Sequence, residues 1–326
     1  MQAVSLSEHG PPSVLELQTK EDPEASPGQV LVELRAAALN RRDTLLRAGI
    51  GPAYRFPLPF VLGSDGAGVR RDTDEDVLIL PSLDWGASAH VAGPDFTILG
   101  GPGDGTYAEL VAVPEENVFP RPRGLSWEQA AALPLAGVTA QRALFAVGGL
   151  RSGESVLILG AGGGVALFAL QLAVLASATV TVVSSSSEKL ERARGLGAAH
   201  GIERSDPGWV EEVRARSGGV DLVLDSVGAT WPQSLSCLAP GGRVVSCGAT
   251  AGEQVELNVR TFYLNQLSLL GTKMGSPADF QALLRAVDEG GLEPVVDSVE
   301  PLDRAAAAHA RMESEDHFGK LVLRVG

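Results

Sequence analysis

The chain has 326 residues, 44% of them hydrophobic and 20% charged, with a formal charge of −14. That length suits two domains rather than one core, and the hydrophobic share excludes a disordered chain. The acidic balance argues against nucleic acid as a partner, so any phosphate site has to be local, built from backbone N–H groups and a few placed cations.

The N-terminus, "MQAVSLSEHG", lacks a basic start followed by an apolar core, so no secretory leader is expected. Residues 1 to about 122 read as β-rich. "VLVELRAAAL" has strand composition, and "PLPFVLGSDGAGV", "DVLILPSL" and "TYAELVAVP" are short apolar runs bounded by turn residues. Ser126, followed by Glu128 and Gln129, suits a helix start ahead of an Ala/Leu run. From Ser155 strands and helices alternate. "SVLIL" predicts a strand, "GVALFALQLAVL" a helix, "TVTVVS" a strand and "SEKLERARGLG" a helix ending on glycine. A short strand near 199–203 and a helix near 209–216 follow, then strands at "VDLVLDSVG", "RVVSCG" and "LSLLGTK". Near-continuous apolar strands alternating with helices predict a parallel sheet covered on both faces. The remaining tail predicts two helices and two strands that return to the first domain.

The expected architecture is therefore α/β: a β-rich domain over 1–122 and 274–326, and a doubly wound domain over 123–273. The longest apolar run, Val165 to Ala176, is too short to span a bilayer and carries Gln171, so no membrane span is expected. The two cysteines, Cys237 and Cys247, are too few for a disulfide framework or a cysteine zinc site and read as buried, reduced thiols of a cytoplasmic protein.

"VLILGAGGGVALFALQLA" is a strand, a glycine-rich turn and a helix. Strict G-x-G-x-x-G fails from Gly160 and from Gly162, because the sixth position is Val165 or Leu167. The turn reads instead as G-x-x-G-x-x-A from Gly160, or as A-x-G-x-x-A from Ala161. Alone, this is a tight βα turn with or without a ligand. With the strand before it and βα units beyond, it predicts a dinucleotide whose pyrophosphate lies against Gly160, Gly163, Gly164 and Val165 at the helix N-terminus.

The ribose-reading residue is expected about 20 residues on, at the end of the next strand. That position is Ser184, and no acid stands there. An NAD site wants Asp or Glu to accept from the ribose hydroxyls, and a carboxylate would repel a 2′-phosphate. Ser184, Ser185 and Ser186 offer hydroxyl donors and Lys189 and Arg192 positive charge, which argues for NADP(H). Ser185 to Glu188 also spells a capping box, S-x-x-E, so the serines have a purely structural reading too, and Glu188 is an acid near the supposed phosphate.

With a β-rich domain ahead of this one, the chain resembles the medium-chain dehydrogenase/reductases over essentially its whole length. The motifs that carry the resemblance include "AAALNRRDTLLRAG", "PFVLGSDGAGV", "AAALPLAGVTAQRAL", "VDLVLDSVG", "LAPGGRVVSCGATAG" and "HFGKLVLRV". It is most similar to the zinc-free branch, the quinone oxidoreductases, enone reductases and zinc-type alcohol dehydrogenase-like proteins. The resemblance implies a GroES-like catalytic domain joined to a Rossmann domain. Zinc-dependent relatives place metal ligands where this chain has Asn40, Ser64 and Leu135, so no metal is expected. The loop "RRDTDED" is shorter than in relatives, which predicts a trimmed turn.

The implied reaction is hydride transfer from NADPH to a quinone or an α,β-unsaturated carbonyl, with ligands in the crevice beyond the strand ends. By the same resemblance, Asn40 and Thr139 would contact the nicotinamide side of the cofactor, and Ser226 and Val227 its adenosine ribose or bridge. Gly248, Ala249 and Thr250 would close the nicotinamide pocket. Lys320 has two readings, a contact to the cofactor phosphates or a surface lysine beside a strand. Asn40 and Tyr54 are the candidate donors to substrate, Tyr54 having the alternative of covering a loop. Asp43 and Asp65 read as structural, and Trp85 as pocket wall or core. His90 and His317 have no partner at a metal spacing. The alternatives are an enoyl-thioester reductase, which would want a basic patch, and an NADPH-binding sensor or interaction protein with vestigial activity. "LSLLGTK" is expected as an edge strand covered by a second copy in a homodimer.

Overall fold

The computed structural model describes residues 1–326. The chain divides into two compact units. Unit 1 comprises Met1–Ala136, Ser276–Asp288 and Glu293–Gly326, and unit 2 comprises Gly137–Gly275 and Glu289–Leu292. Residues 123–136, grouped above with the nucleotide domain, thus lie in unit 1, and the tail lies there from Ser276 onwards except for Glu289–Leu292, which belong to unit 2.

Unit 1 opens with β1 (Gln2–Leu6), β2 (Leu15–Thr19), β3 (Gln29–Ala38) and α1 (Arg41–Ala48). Short strands follow: β4 (Phe60–Val61), β5 (Asp65–Arg70), β6 (Asp76–Ile79), β7 (Ser82–Leu83), β8 (Thr97–Ile98), β9 (Leu110–Pro114) and β10 (Val118–Pro120). The main sheet has the order β10-β6-β5-β3, with β3 as its spine. Every second residue of β3 is buried until its last three, where both faces are covered. One edge of β3 pairs β5. The other pairs β9 through residues 29–33 and, further on, a C-terminal strand through residues 36–38. The trimmed turn expected at "RRDTDED" closes β5 onto β6 as an antiparallel pair. The core gathers Val32, Leu34, Leu39, Leu46, Val61 and Tyr107 with the C-terminal Leu321 and Leu323. α2 (Trp127–Ala132) starts at Ser126 as expected. The Ser126 hydroxyl accepts from Gln129 N–H and the Gln129 side chain accepts from Ser126 N–H, a capping box. α3 (Pro134–Gln141) carries the chain into unit 2 and continues as a π-helical stretch over Arg142–Val147.

Unit 2 is built from β11 (Ser155–Leu159), α4 (Gly164–Leu175), β12 (Thr179–Ser184), α5 (Ser187–Gly195), β13 (His200–Glu203) and α6 (Trp209–Ser217). Then come β14 (Val220–Asp225), α7 (Trp231–Cys237), β15 (Leu238–Ser246), α8 (Val259–Leu264) and β16 (Ser268–Gly271). All six strands are parallel in the order β13-β12-β11-β14-β15-β16. The order reverses between β11 and β14, the arrangement in which an open sheet binds a ligand beyond its strand carboxyl ends. β12 and β14 are buried along nearly their whole length, the state their apolar runs predict. α7 and α8 were not legible in the sequence. "WPQSLSC" and "VRTFYL" are short and carry no apolar stripe of helical period.

The chain then closes unit 1 with α9 (Pro277–Asp288), β17 (Val296–Pro301), α10 (Ala305–Glu313) and β18 (Lys320–Arg324). β18 pairs β3 antiparallel on one side and β17 in parallel on the other. No helix is long and apolar enough to cross a membrane.

Candidate active site

The glycine turn of unit 2 has the shape an anion needs. Gly160 takes φ +83°, a left-handed backbone that side chains disfavour, and a Cβ there would stand in open space with nothing within 4 Å. A Cβ on Gly163 would meet only Gly160 O, at 4.0 Å. Gly163 is the N-cap of α4 and supplies no side-chain cap. The first N–H groups of α4, those of Gly164 and Val165 among them, are therefore left without an intrahelical or side-chain acceptor beside an open cradle. A pyrophosphate fits this arrangement.

At the end of β12 the four serines separate into distinct roles. Ser184 is buried, and its hydroxyl oxygen accepts from Ser186 N–H at 3.2 Å. Ser186 is the N-cap of α5, accepting from Lys189 N–H at 3.3 Å. The capping box expected at Ser185–Glu188 is therefore not the one formed. The cap sits one residue later, Ser185 is exposed, and the Glu188 carboxylate lies on the outer helix face 3.9 Å from Arg192. Both Ser184 and Ser186 accept through oxygen and keep their hydroxyl protons to donate.

The loops after β14 and β15 meet backbone to backbone. A Cβ on Gly248 would lie 2.6 Å from Ser226 O, and one on Gly228 2.4 Å from Gly252 O. Ala251 N–H donates to Val227 O at 2.9 Å, and the Thr250 hydroxyl reaches Ser226 O at 3.5 Å. The structure thus brings Ser226 and Val227 together with Gly248, Ala249 and Thr250. The residue behind this arrangement, missed in the sequence, is Asp225. Fully buried at the end of β14, it accepts from Val227 N–H, Gly228 N–H and the hydroxyls of Thr230 and Ser234, all within 3.0 Å. An acid ending a strand before S-x-G was the available signal, an Asx turn. Thr139 is buried on α3.

In unit 1 the candidate residues collect in a buried polar cluster. Asn40 caps α1 and shares a capping box with Asp43. Its amide Nδ2 donates to Asp65 at 2.9 Å, and its Oδ1 accepts from the Lys320 ammonium at 2.6 Å. Lys320 also bonds Asp65 at 3.0 Å, and the other Asp65 oxygen accepts from Leu135 N–H at 2.7 Å. Lys320 is only 3% exposed, so it is neither a surface lysine nor, as placed here, extended away from unit 1. The flanking cation and carboxylate fix which way the Asn40 amide points.

Beside this triad, Arg42 donates to the Ser64 hydroxyl at 3.1 Å and to the carbonyls of Ile98, Leu99, Gly100 and Gly101, with no carboxylate in ion-pair reach. Burial lowers its pKa below the usual guanidinium value. Asp43 accepts from Asn40 N–H at 2.8 Å and from the Tyr107 hydroxyl at 3.1 Å. Burial pushes its carboxyl up to about 6, against the pull of Arg42. The same phenol oxygen lies 3.4 Å from His309 Nε2. Burial, then the charge of Arg47, pushes His309 down to about 3. Asp43, through Oδ2, and Asp65, through both oxygens, are thus engaged by backbone and side-chain donors within unit 1. Tyr54 ends a 3₁₀ turn (Pro52–Tyr54), half-buried against the unit 1 core. Trp85 is buried, donates to Ser88 O and stacks edge-on against Phe96. Cys237 is buried and Cys247 partly so, both free thiols, and burial pushes Cys237 up to about 12.

The positions of the expected metal ligands are therefore an amide held by lysine, a hydroxyl held by arginine, and a leucine. No group of three or more His, Cys, Asp or Glu side chains is arranged so that it could hold a metal ion. These donors do not fit a zinc ion.

Two family models match. The alcohol dehydrogenase GroES-like domain covers residues 26–123, and the zinc-binding dehydrogenase domain residues 164–289. A zinc-type alcohol dehydrogenase-like protein of Schizosaccharomyces pombe is 37% identical over 92% of both chains. A quinone oxidoreductase of Pseudomonas aeruginosa is 33% identical over 98% of both. A crystal structure described as an NAD-dependent alcohol dehydrogenase superposes with a TM-score of 0.95 at 39% identity, each chain fully covered.

Proposed function

Since the chain belongs to the medium-chain dehydrogenase/reductase superfamily, in its quinone oxidoreductase and alcohol dehydrogenase-like branch, and is an oxidoreductase of that kind, we propose that it is a zinc-independent, NADPH-dependent reductase of quinones or α,β-unsaturated carbonyls. The observation that carries the zinc-free part is the replacement of metal donors by the Asn40–Asp65–Lys320 cluster. What supports NADPH is the end of β12, where Ser184 and the exposed Ser185 stand in place of an acid. A solved relative is described as NAD-dependent, and the ratio of kcat/KM for NADPH and NADH tests this part of the reading.

Bound nicotinamide would supply the hydride, delivered to the β-carbon of an enone or to a quinone. Unit 2 holds the dinucleotide. The α4 N-terminus takes the pyrophosphate charge, Ser184 to Ser186 with Lys189 read the ribose, and the two glycine-lined loops at Ser226–Val227 and Gly248–Thr250 shape the rest. Thr139 serves the nicotinamide side. As hydride adds, negative charge grows on the substrate oxygen, and a donor aimed there lowers the barrier. Asn40 suits that task. One Nδ2 hydrogen is spent on Asp65 and the second remains, while the ammonium on Oδ1 polarises the amide and strengthens that remaining N–H. Tyr54 is the second donor, and solvent completes the reaction by protonating the enolate. Lys320 serves the cofactor phosphates only by leaving Asp65, so in the arrangement seen its role is to orient Asn40.

We also propose a homodimer. β16 is an edge strand, and Val259, Tyr263 and Leu264 of α8, just before it, are 71%, 58% and 64% exposed. Apolar side chains beside an open strand edge favour cover by a second copy.

A panel of quinones and enones tested for NADPH oxidation checks the enzyme reading. Turnover with at least one class is expected. No turnover anywhere, with NADPH still raising the melting temperature, would leave a binding protein instead.

A further inference from the structure

Three acidic side chains of the chain are fully buried, those of Asp43, Asp65 and Asp225. Asp65 pairs with Lys320, and Asp43 feels the pull of Arg42. Asp225 makes no ion pair. Its Oδ1 accepts from Val227 N–H and Gly228 N–H, and its Oδ2 from the hydroxyls of Thr230 and Ser234. All four donors are uncharged. Such dipoles hold a carboxylate in place and strengthen one another, but they leave its net charge uncancelled.

The position of this charge matters. Asp225 ends β14, beside the point where the strand order reverses and where an open parallel sheet takes its ligand. In the parallel register it lies opposite Ser246, and Cys247 N–H donates to its backbone carbonyl at 3.2 Å. The loop at 248–250 therefore starts next to the buried carboxylate. The charge is felt there, since burial, and then Asp225, raise the Cys247 thiol to about 12.

Hydride donation changes the charge of a nicotinamide. The hydrogen on C4 leaves with both electrons of its bond for the β-carbon of the enone. The neutral ring becomes a cation, the enone becomes an enolate, and solvent supplies the proton. A fixed negative charge near the ring favours its cationic form over its neutral one. We propose that Asp225 is a positioning residue with a second effect: it ties the loops at 226–228 and 248–252 together, and its uncancelled charge makes the nicotinamide pocket prefer the oxidised cofactor, which eases the departure of hydride. This rests on the reading that Gly248, Ala249 and Thr250 close that pocket, and it applies to NADPH and NADH alike.

The test measures calorimetric dissociation constants for NADP+ and NADPH, and for NAD+ and NADH, in wild type, D225N and the double variant T230V/S234A. D225N removes the charge and can keep the bonds, because its Oδ1 still accepts both N–H groups while its Nδ2 donates to the two hydroxyl oxygens. It is expected to weaken the oxidised form relative to the reduced form about tenfold, as one unit charge does at roughly 10 Å and an effective dielectric of about 20. T230V/S234A keeps the charge and loosens the turn, so both constants should rise together at an unchanged ratio. A ratio in D225N equal to that of wild type overturns the effect of the charge. So does a ratio that moves in T230V/S234A, a result that decides even where D225N does not fold. A wild type that binds neither cofactor pair overturns the cofactor reading, and this proposal with it.

Discussion

Two buried groups in unit 1 titrate in opposite senses. Asp43, held by Asn40 N–H and Tyr107, has a carboxyl raised to about 6 from an ordinary 3.8. Its contribution to stability is complete below pH 4 and is lost as the pH rises through 6. His309 is depressed to about 3 from 6.5, so its contribution is complete above pH 6.5 and is lost as the pH falls towards 3. With the Tyr107 hydroxyl proton given to Asp43, His309 donates through Nε2, and its Nδ1 stays buried without a partner, which resists protonation. Between pH 6 and 4 the two slopes offset each other, each about 1.4 kcal/mol per pH unit at most. Urea melts over this range are expected to show His309→Phe gaining on wild type as the pH falls, and Asp43→Asn losing ground to it. Parallel curves for the two variants would mean that the groups are not buried as described. Nothing in the sequence pairs these residues. Asp43 and His309 are far apart along the chain, and only the antiparallel return of β18 to β3, with α10 ahead of it, places His309 within reach of Tyr107.

At the scale of elements, the four serines at the end of β12 show how far local pattern carries. "VVSSSSEKLERA" marks a strand end and a helix start, and both form. A cap motif does not say which of four identical residues is the cap, and the pattern S-x-x-E picked Ser185 where the backbone uses Ser186. The choice belongs to the sheet. Parallel pairing of β12 with β13 continues to Ser184, and Ser184 then accepts from Ser186 N–H, so the helix begins one residue later than the motif implies. Ser186→Ala is expected to cost about 1 kcal/mol in thermal or urea unfolding, and Ser185→Ala close to nothing. Equal losses, or the reverse order, would return the cap to Ser185. The glycine turn was legible because its chemistry is local: a strand, glycines free of Cβ and a helix start. Asp225 and the loops it ties were not, since the close approach of Gly248 to Ser226 O joins segments from two separate strands.

For the whole molecule, the succession of strands and of the longer helices could be read from alternation alone, whereas α7 and α8 could not, and the tail lies in unit 1 apart from Glu289–Leu292. The polar core of unit 1 was not legible either. Asn40, Asp65 and Lys320 come from the first third and the last residues of the chain, and the sequence names them separately without showing that lysine orients the amide. Assembly is the second property at this scale. Sedimentation or light scattering is expected to give twice the chain mass. A variant carrying Val259→Glu and Leu264→Glu, both on exposed faces of α8, is expected to shift towards the single chain with its fold retained. A wild type that runs as a single chain at micromolar concentration would contradict the dimer.

The central proposition is that this oxidoreductase needs no zinc, because an amide ordered by Lys320 and Asp65 stands where a metal would act. The direct measurement is the rate of NADPH oxidation, with whichever quinone or enone the panel identifies, before and after exhaustive treatment with a chelator and with the metal content of the protein determined alongside. The expected result is an unchanged rate in protein free of zinc, with no gain when zinc is added back. A rate that collapses on metal removal and returns with zinc would contradict it.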